Sequence, residues 1–128
     1  MDKYEEYLAR NPQHQNMLRL KAAYPSMLEK CDFYLPIGWT KLVETLLKDL
    51  TFVCPEIRVA QVKEKFGGLR FYADNCNKEA NELITLAEQQ SVLICDVCGE
   101  PGRLRSDGWL ATKCDTHYEE WKKRNDGN

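Results

Sequence analysis

The sequence predicts an α+β protein with N-terminal helices, a central antiparallel β-hairpin or small sheet packed on helices, and a C-terminal zinc-binding module. Three observations predict this class: an apolar stripe at helical spacing from Trp39, two β-rich segments around Gly67-Gly68, and paired cysteine and histidine half-sites after residue 94. The length of 128 residues and the net charge of −2 suit a core domain over residues 1–93 with a module over residues 94–128 packed on it.

Four helices are predicted before residue 94. Two lie within residues 2–24 and are separated at Asn11-Pro12, because asparagine can cap the second helix and proline suits its first turn. The fourth covers about residues 78–92 and is capped by Asn75 or Asn77. The third ends before Pro55, and its apolar residues share one face: Trp39, Leu42, Val43, Leu46, Leu47 and Leu50.

The central hairpin is predicted from residues 56–64 and 69–73, which are rich in β-branched residues or alternate between apolar and polar ones. Gly67-Gly68 supplies the positive φ angles of a tight turn between them. A hairpin needs a third strand or a helix against one face, and the Trp39 helix is the predicted partner. Residues 25–38 are predicted to be irregular, with room for one short strand.

The strongest chemical signal is the pair Cys95-x2-Cys98 and Cys114-x2-His117, separated by 15 residues. A two-residue gap lets both side chains of a half-site reach one ion, and three thiolates with one imidazole form a closed tetrahedral zinc set. The motif therefore predicts one structural Zn²⁺ per chain, held by Cys95, Cys98, Cys114 and His117. No coordination position would remain for water or substrate.

The residues around these half-sites predict a short hairpin turned at Ser106-Asp107-Gly108 and a helix that begins near His117. A cysteine knuckle, a hairpin and a helix that supplies the last ligands resemble the treble-clef family of zinc fingers, over roughly residues 94–124. The resemblance concerns architecture, and it implies that the C-terminal quarter of the chain depends on the metal for folding.

Catalysis is not expected. A metal-dependent nuclease is the less favoured alternative, because treble clefs include nucleases of the His-Asn-His type. Such a nuclease needs a histidine base, and the chain has two histidines: His117, assigned to zinc, and His14, predicted on a surface helix. The sequence also contains no Gly-x4-Gly-Lys-Ser/Thr phosphate loop. No small-molecule substrate is identified.

The predicted function is non-catalytic binding of a macromolecule. The net charge of −2 favours a protein partner, while the basic and aromatic central hairpin favours a nucleic-acid-binding regulator as the alternative. The hairpin's resemblance to the aromatic RNA-recognition strand is superficial, because the order Gly-aromatic-Gly is absent, and a merely solvated hairpin face stays open as a third interpretation. The predicted contact residues are Lys63, Lys65, Arg70, Arg103, Arg105 and Trp109.

A resemblance over most of the chain supports this interpretation. Gly38-Trp39, residues 62–72 (VKEKFGGLRFY), Cys95-x2-Cys98-Gly99 and Gly108-Trp109 before Cys114 resemble a family of small proteins from bacteriophages and bacterial genomes. The resemblance supplies no activity. It implies a phage or prophage accessory role, such as binding a host or defence protein.

The cellular location is predicted from two absences. The first residues lack the apolar stretch of a secretion signal, and no run approaches the roughly 20 apolar residues of a membrane span. A cytoplasmic protein is expected, in the host cytoplasm if the chain is phage-encoded, with no membrane partner. The cysteines are then expected to be reduced, and the roles of Cys31, Cys54 and Cys76 stay open.

Overall fold

The computed structural model describes residues 2–126 and confirms the mixed α+β class. In chain order its elements are α1 (Lys3–Ala9), α2 (Pro12–Ala23), β1 (Asp32–Tyr34), a 3-10 turn (Ile37–Trp39), α3 (Thr40–Val53), β2 (Arg58–Lys65), β3 (Gly68–Asp74), α4 (Lys78–Ser91), β4 (Arg103–Arg105), β5 (Ala111–Lys113) and α5 (Asp115–Asp126). The predicted break at Asn11-Pro12 and the N-cap at Asn77 are both confirmed, and the Asn77 side chain accepts a hydrogen bond from the backbone of Ala80.

The central sheet has the strand order β1-β2-β3. Strands β2 and β3 form the predicted antiparallel hairpin, and β1 adds the short strand from the irregular segment, parallel to β2. Tyr34 pairs with Lys63, and Lys63 pairs with Arg70, so these side chains lie in one row on one face of the sheet. Phe33, Val62 and Phe71 form the neighbouring row on the opposite face.

The hairpin turn lies one residue earlier than predicted. Phe66 and Gly67 have φ angles of 56° and 84°, whereas Gly68 belongs to β3 and pairs with Lys65. Two consecutive residues with positive φ match a type I′ turn, whose twist suits a two-residue hairpin. Phe66 therefore occupies a conformation that few non-glycine residues adopt, and its ring is left in solvent, with 63% of its surface exposed.

One face of the sheet forms the core together with α3 and α4. Val62, Leu69 and Phe71 are buried there, and the predicted Trp39 stripe supplies the buried residues of α3. The Trp39 ring is fully buried, and its Nε1–H donates to the carbonyl of Ile94, 2.8 Å away. The core is thereby joined directly to the segment that precedes the first cysteine half-site.

The free edge of β3 is covered by α4 rather than by another strand. The N–H of Leu69 donates to Ser91 Oγ at 2.9 Å, and the N–H of Phe71 donates to a Glu88 carboxylate oxygen at 3.0 Å. These side chains satisfy donors that an open sheet edge would present to another chain. Across residues 2–126, every helix is too short or too polar to cross a membrane.

Candidate metal centre

The four predicted ligands come together. One atom from each of Cys95, Cys98, Cys114 and His117 lies within 4.8 Å of the other three, so the group could hold a metal ion. Cys95 is buried, Cys98 is exposed, and Cys114 and His117 are half-buried. The cluster thus lies near the surface of the module, and Cys95 is its most buried ligand.

Three separations between the ligand atoms lie close to the edges of a tetrahedron. The Sγ atoms of Cys98 and Cys114 are 3.9 Å apart, and Nδ1 of His117 lies 3.6 Å from Cys95 Sγ and 3.2 Å from Cys114 Sγ. Metal–sulfur bonds of about 2.3 Å and a metal–nitrogen bond of about 2.0 Å give tetrahedral edges of about 3.8 Å between sulfurs and about 3.5 Å between sulfur and nitrogen. The donor set therefore fits a closed tetrahedral ion with histidine bound through Nδ1.

Backbone hydrogen bonds hold the first half-site. The N–H of Cys95 donates to the carbonyl of Glu100 at 2.8 Å, and the N–H of Gly99 returns to the carbonyl of Cys95 at 3.0 Å. The N–H of Asp96 donates to the carbonyl of Thr112 in β5 at 2.9 Å, which fastens the knuckle to the second hairpin. These bonds fix the knuckle by main-chain atoms that no ligand substitution removes.

Helix α5 holds the second half-site. Cys114 directly precedes α5, and His117 lies in its first turn, where its N–H approaches Cys114 Sγ at 3.5 Å. Arg105 secures the junction of β5 and α5, because its guanidinium donates twice to the carbonyl of Lys113 and once to the Asp115 carboxylate. The knuckle, hairpin and helix follow the order expected for a treble-clef-like module.

The surroundings of Cys95 lower the pKa of its thiol. Burial by itself raises its pKa, but the backbone N–H groups of Cys114, Cys98 and Val97 hydrogen-bond to the sulfur and outweigh burial, lowering the pKa to about 6. The thiolate is the form that binds metals. Main-chain donors thus favour the ligating form of this side chain near neutral pH.

The six predicted contact residues occupy different environments. Lys65, Arg103 and Trp109 are exposed, and Lys63 and Arg70 are half-buried in the outer row of the central sheet. Arg105 is buried, and its guanidinium carbon lies 4.5 Å from the centre of the Tyr118 ring, so this residue joins elements of the module. Tyr34, which pairs with Lys63, was missed because a three-residue strand has no periodic signal.

The remaining cysteines are free thiols, and none of those in residues 2–126 forms a disulfide. Cys31 and Cys54 are buried, and Cys76 is half-buried. Burial raises the pKa of Cys31 to about 12, with a smaller increase from Asp32 opposed by Lys21. His14 packs edge-on against Tyr7 with ring centres 5.4 Å apart.

Comparison with known proteins gives no assignment for this chain. No protein-family model, curated protein or solved structure matches it.

Proposed function

We propose that this chain is a non-catalytic, zinc-stabilised binding protein. The observation that carries the proposal is the closed donor set: three sulfurs and one imidazole nitrogen at tetrahedral separations, all supplied by the protein. Catalytic zinc sites keep one position for water or substrate, whereas structural sites fill all four. Zinc in this set would act as a folding element of the module.

The donor types favour zinc over other metals. Thiolate and imidazole ligands in tetrahedral geometry suit zinc, while magnesium and calcium take oxygen ligands. The surroundings also offer no second histidine for proton transfer, because the chain has two and the other, His14, packs on Tyr7 in the N-terminal helices. These features support a structural rather than a reactive ion.

The proposed contact surface is a groove of about 390 Å³ between the turn of the central hairpin and the loop of the second hairpin. Phe66 and Trp109 line it, with 63% and 76% of their surfaces exposed. Exposed aromatic residues beside a groove are the side chains that most often anchor protein interfaces. Together with the net charge of −2, they favour a protein partner, and the resemblance to phage and bacterial proteins favours a host or defence protein.

The zinc part of the proposal is tested by elemental analysis of purified protein. We expect about one zinc per chain, and we expect Cys98→Ser to lose it together with the order of residues 94–126. Zinc-loaded protein should show no turnover of nucleic acid with added magnesium or manganese. Clean turnover abolished by a substitution outside the four ligands would contradict the non-catalytic assignment.

The partner part is tested by capture from bacterial lysate with quantitative mass spectrometry. Trp109→Ala should reduce recovery of the bound protein by at least about tenfold, as expected for an aromatic anchor. Phe52→Ala is the matched control, because Phe52 is 77% exposed on α3, outside the groove lining. Equal losses for both variants would contradict a docking site at the groove.

A further inference from the structure

The outer face of the central sheet is a second exposed surface, separate from the Phe66–Trp109 groove. Its rows follow from strand register: Tyr34, Lys63 and Arg70 form one row, and Asp32, Gln61 and Tyr72 lie in the next. Lys65 continues β2 on the same side, at the border of the groove. We call these seven residues the open sheet face.

We infer that the open sheet face binds single-stranded nucleic acid by stacking bases on Tyr34 and Tyr72 and by contacting phosphates through Lys63, Lys65 and Arg70. This activity goes beyond the proposed function, because it uses a different surface and a different class of partner.

The two tyrosines of the open sheet face are exposed to solvent. Tyr34 and Tyr72 are 66% and 45% exposed, although each lies on a strand whose opposite face is packed in the core. From a strand spacing of about 4.8 Å and a rise of about 3.4 Å per residue, the two side chains stand roughly 12 Å apart on the sheet. Two separated rings on a flat face can each stack a base, which is the sequence-tolerant contact of single-strand binders.

The open sheet face carries a local positive charge. Lys63, Lys65 and Arg70 carry three positive charges on this face against the Asp32 carboxylate, which lies in the Gln61 row, while Arg58 and Asp74 face each other in the following row and cancel. The face is thus +2 in a chain of net charge −2. Charge segregation of this kind favours a polyanion at the basic face even when the whole chain is acidic.

In the described part of the chain, the three cations of the open sheet face are not neutralised by ion pairs, so they could contact phosphate groups. No ion pair within residues 2–126 involves Lys63, Lys65 or Arg70. Lys63 Nζ instead lies 5.9 Å from the centre of the Tyr72 ring. A base stacked on Tyr72 would therefore place its backbone beside an ammonium group that forms no salt bridge with the carboxylates of residues 2–125.

The experiment measures fluorescence anisotropy of labelled dT20 and rU20 with zinc-loaded full-length protein at about 50 mM salt. Binding through three cations should weaken about 20-fold between 50 and 200 mM salt, since single strands give a slope near −0.7 per contact. Tyr34→Ala and Tyr72→Ala should each weaken binding by about tenfold or more, and Tyr34→Phe and Tyr72→Phe should restore it.

Two controls separate this surface from general charge and from the groove. Lys63→Gln should reduce the salt slope by about 0.7, whereas Lys48→Gln on α3 should leave it unchanged. Trp109→Ala should leave dT20 binding intact while reducing protein capture. Zinc content and circular dichroism establish that each variant is folded.

The inference is overturned if zinc-loaded protein does not bind either strand at low salt, or if alanine at Tyr34 and Tyr72 has no more effect than Phe52→Ala. It is also overturned if Tyr34→Ala and Tyr72→Ala abolish capture of a protein and leave dT20 binding unchanged, because the face would then be a protein interface. Each of these results leaves the zinc assignment intact, since metal content is measured separately.

Discussion

The backbone of Gly38 lies directly against the carbonyl group of Cys95. The N–H of Gly38 donates to the next carbonyl, that of Asp96, at 2.9 Å. A Cβ atom at Gly38 would overlap the Cys95 carbonyl oxygen and lie 2.7 Å from the carbonyl carbon of Asp96. The turn that begins α3 and the metal-binding knuckle are therefore packed main chain against main chain.

We expect Gly38→Ala to destabilise the protein by about 3 kcal/mol, because rigid backbone on both sides must separate to admit the methyl group. Urea unfolding of the zinc-loaded protein measures this cost, and zinc affinity should fall with it. Gly68→Ala is the control, since its Cβ would meet the flexible end of Arg70, Nη1 at 3.3 Å, and would lie at an ordinary contact distance of 3.5 Å from Val92 Cγ1. Equal costs for the two variants would show that the close packing at Gly38 is not important.

Metal removal should loosen the module before it loosens the sheet. Residues 94–126 contribute few large buried side chains, so a bound ion would supply much of their folding free energy. After chelation we expect hydrogen exchange to accelerate across residues 94–126 while β2 and β3 retain protection. Trp39 should become accessible to acrylamide. Its ring donates to the carbonyl of Ile94, the first residue of the module, and loosening of the module would weaken this contact. Unchanged exchange in zinc-free protein would contradict a structural ion.

Features that depend on nearby residues could be predicted from the sequence, whereas pairings between distant segments could not. The ligand spacing of Cys95 and Cys98 is a local property, and the cluster could be predicted from it. The parallel pairing of Tyr34 with Lys63 joins distant segments. A strand of three residues contains too little periodicity to be predicted from its sequence. Likewise, nothing in composition distinguishes Arg105 from Arg103. The two side chains leave β4 on the same side, and Arg105 alone is buried because it contacts Lys113, Asp115 and Tyr118.

The cover on the β3 edge predicts a cost for Ser91→Ala. Ser91 is fully buried, and its Oγ accepts from the N–H of Leu69 and donates to the carbonyl of Glu88 at 2.6 Å. Alanine would leave the Leu69 donor without a partner, which costs about 1–3 kcal/mol. Thermal and urea unfolding measure the change. Ser106→Ala, at an exposed position, should cost less than about 0.5 kcal/mol, and an equal effect would refute the edge-capping role.

Cys31 predicts a loss of stability at alkaline pH. Its pKa is about 12 in the folded protein against an ordinary value of 9.0, so above pH 9 the unfolded chain releases a proton that the folded chain keeps. Stability therefore falls as pH rises from 9 to about 12, by about 1.4 kcal/mol per pH unit at most.

The Cys31 contribution is isolated by the difference between wild type and Cys31→Ala in urea unfolding at pH 8, 9 and 10. The difference should be constant below pH 9 and shrink by about 1 kcal/mol at pH 10. Leu28→Ala, at another fully buried position, should give a difference that does not change with pH. A constant difference for Cys31→Ala as well would contradict the raised pKa.

Arg105 and Arg103 form a matched pair on β4, and we expect their substitutions to cost different amounts of stability. Arg105 is buried and donates to the Lys113 carbonyl through Nε at 3.1 Å and through Nη2 at 2.9 Å. Arg103 is exposed and lies 3.9 Å from the Asp115 carboxylate. Arg105→Met should cost about 2–3 kcal/mol, because a buried carbonyl loses its donors, whereas Arg103→Met should cost less than about 0.5 kcal/mol.

Urea unfolding of both zinc-loaded variants decides between a structural and a contact role for Arg105. We expect the loss in Arg105→Met to appear at the junction of β5 and α5, as faster hydrogen exchange at residues 113–118, because the guanidinium joins Lys113 to Asp115 and lies over Tyr118. Similar stabilities for the two variants would instead return Arg105 to the set of surface residues that are free to contact a partner.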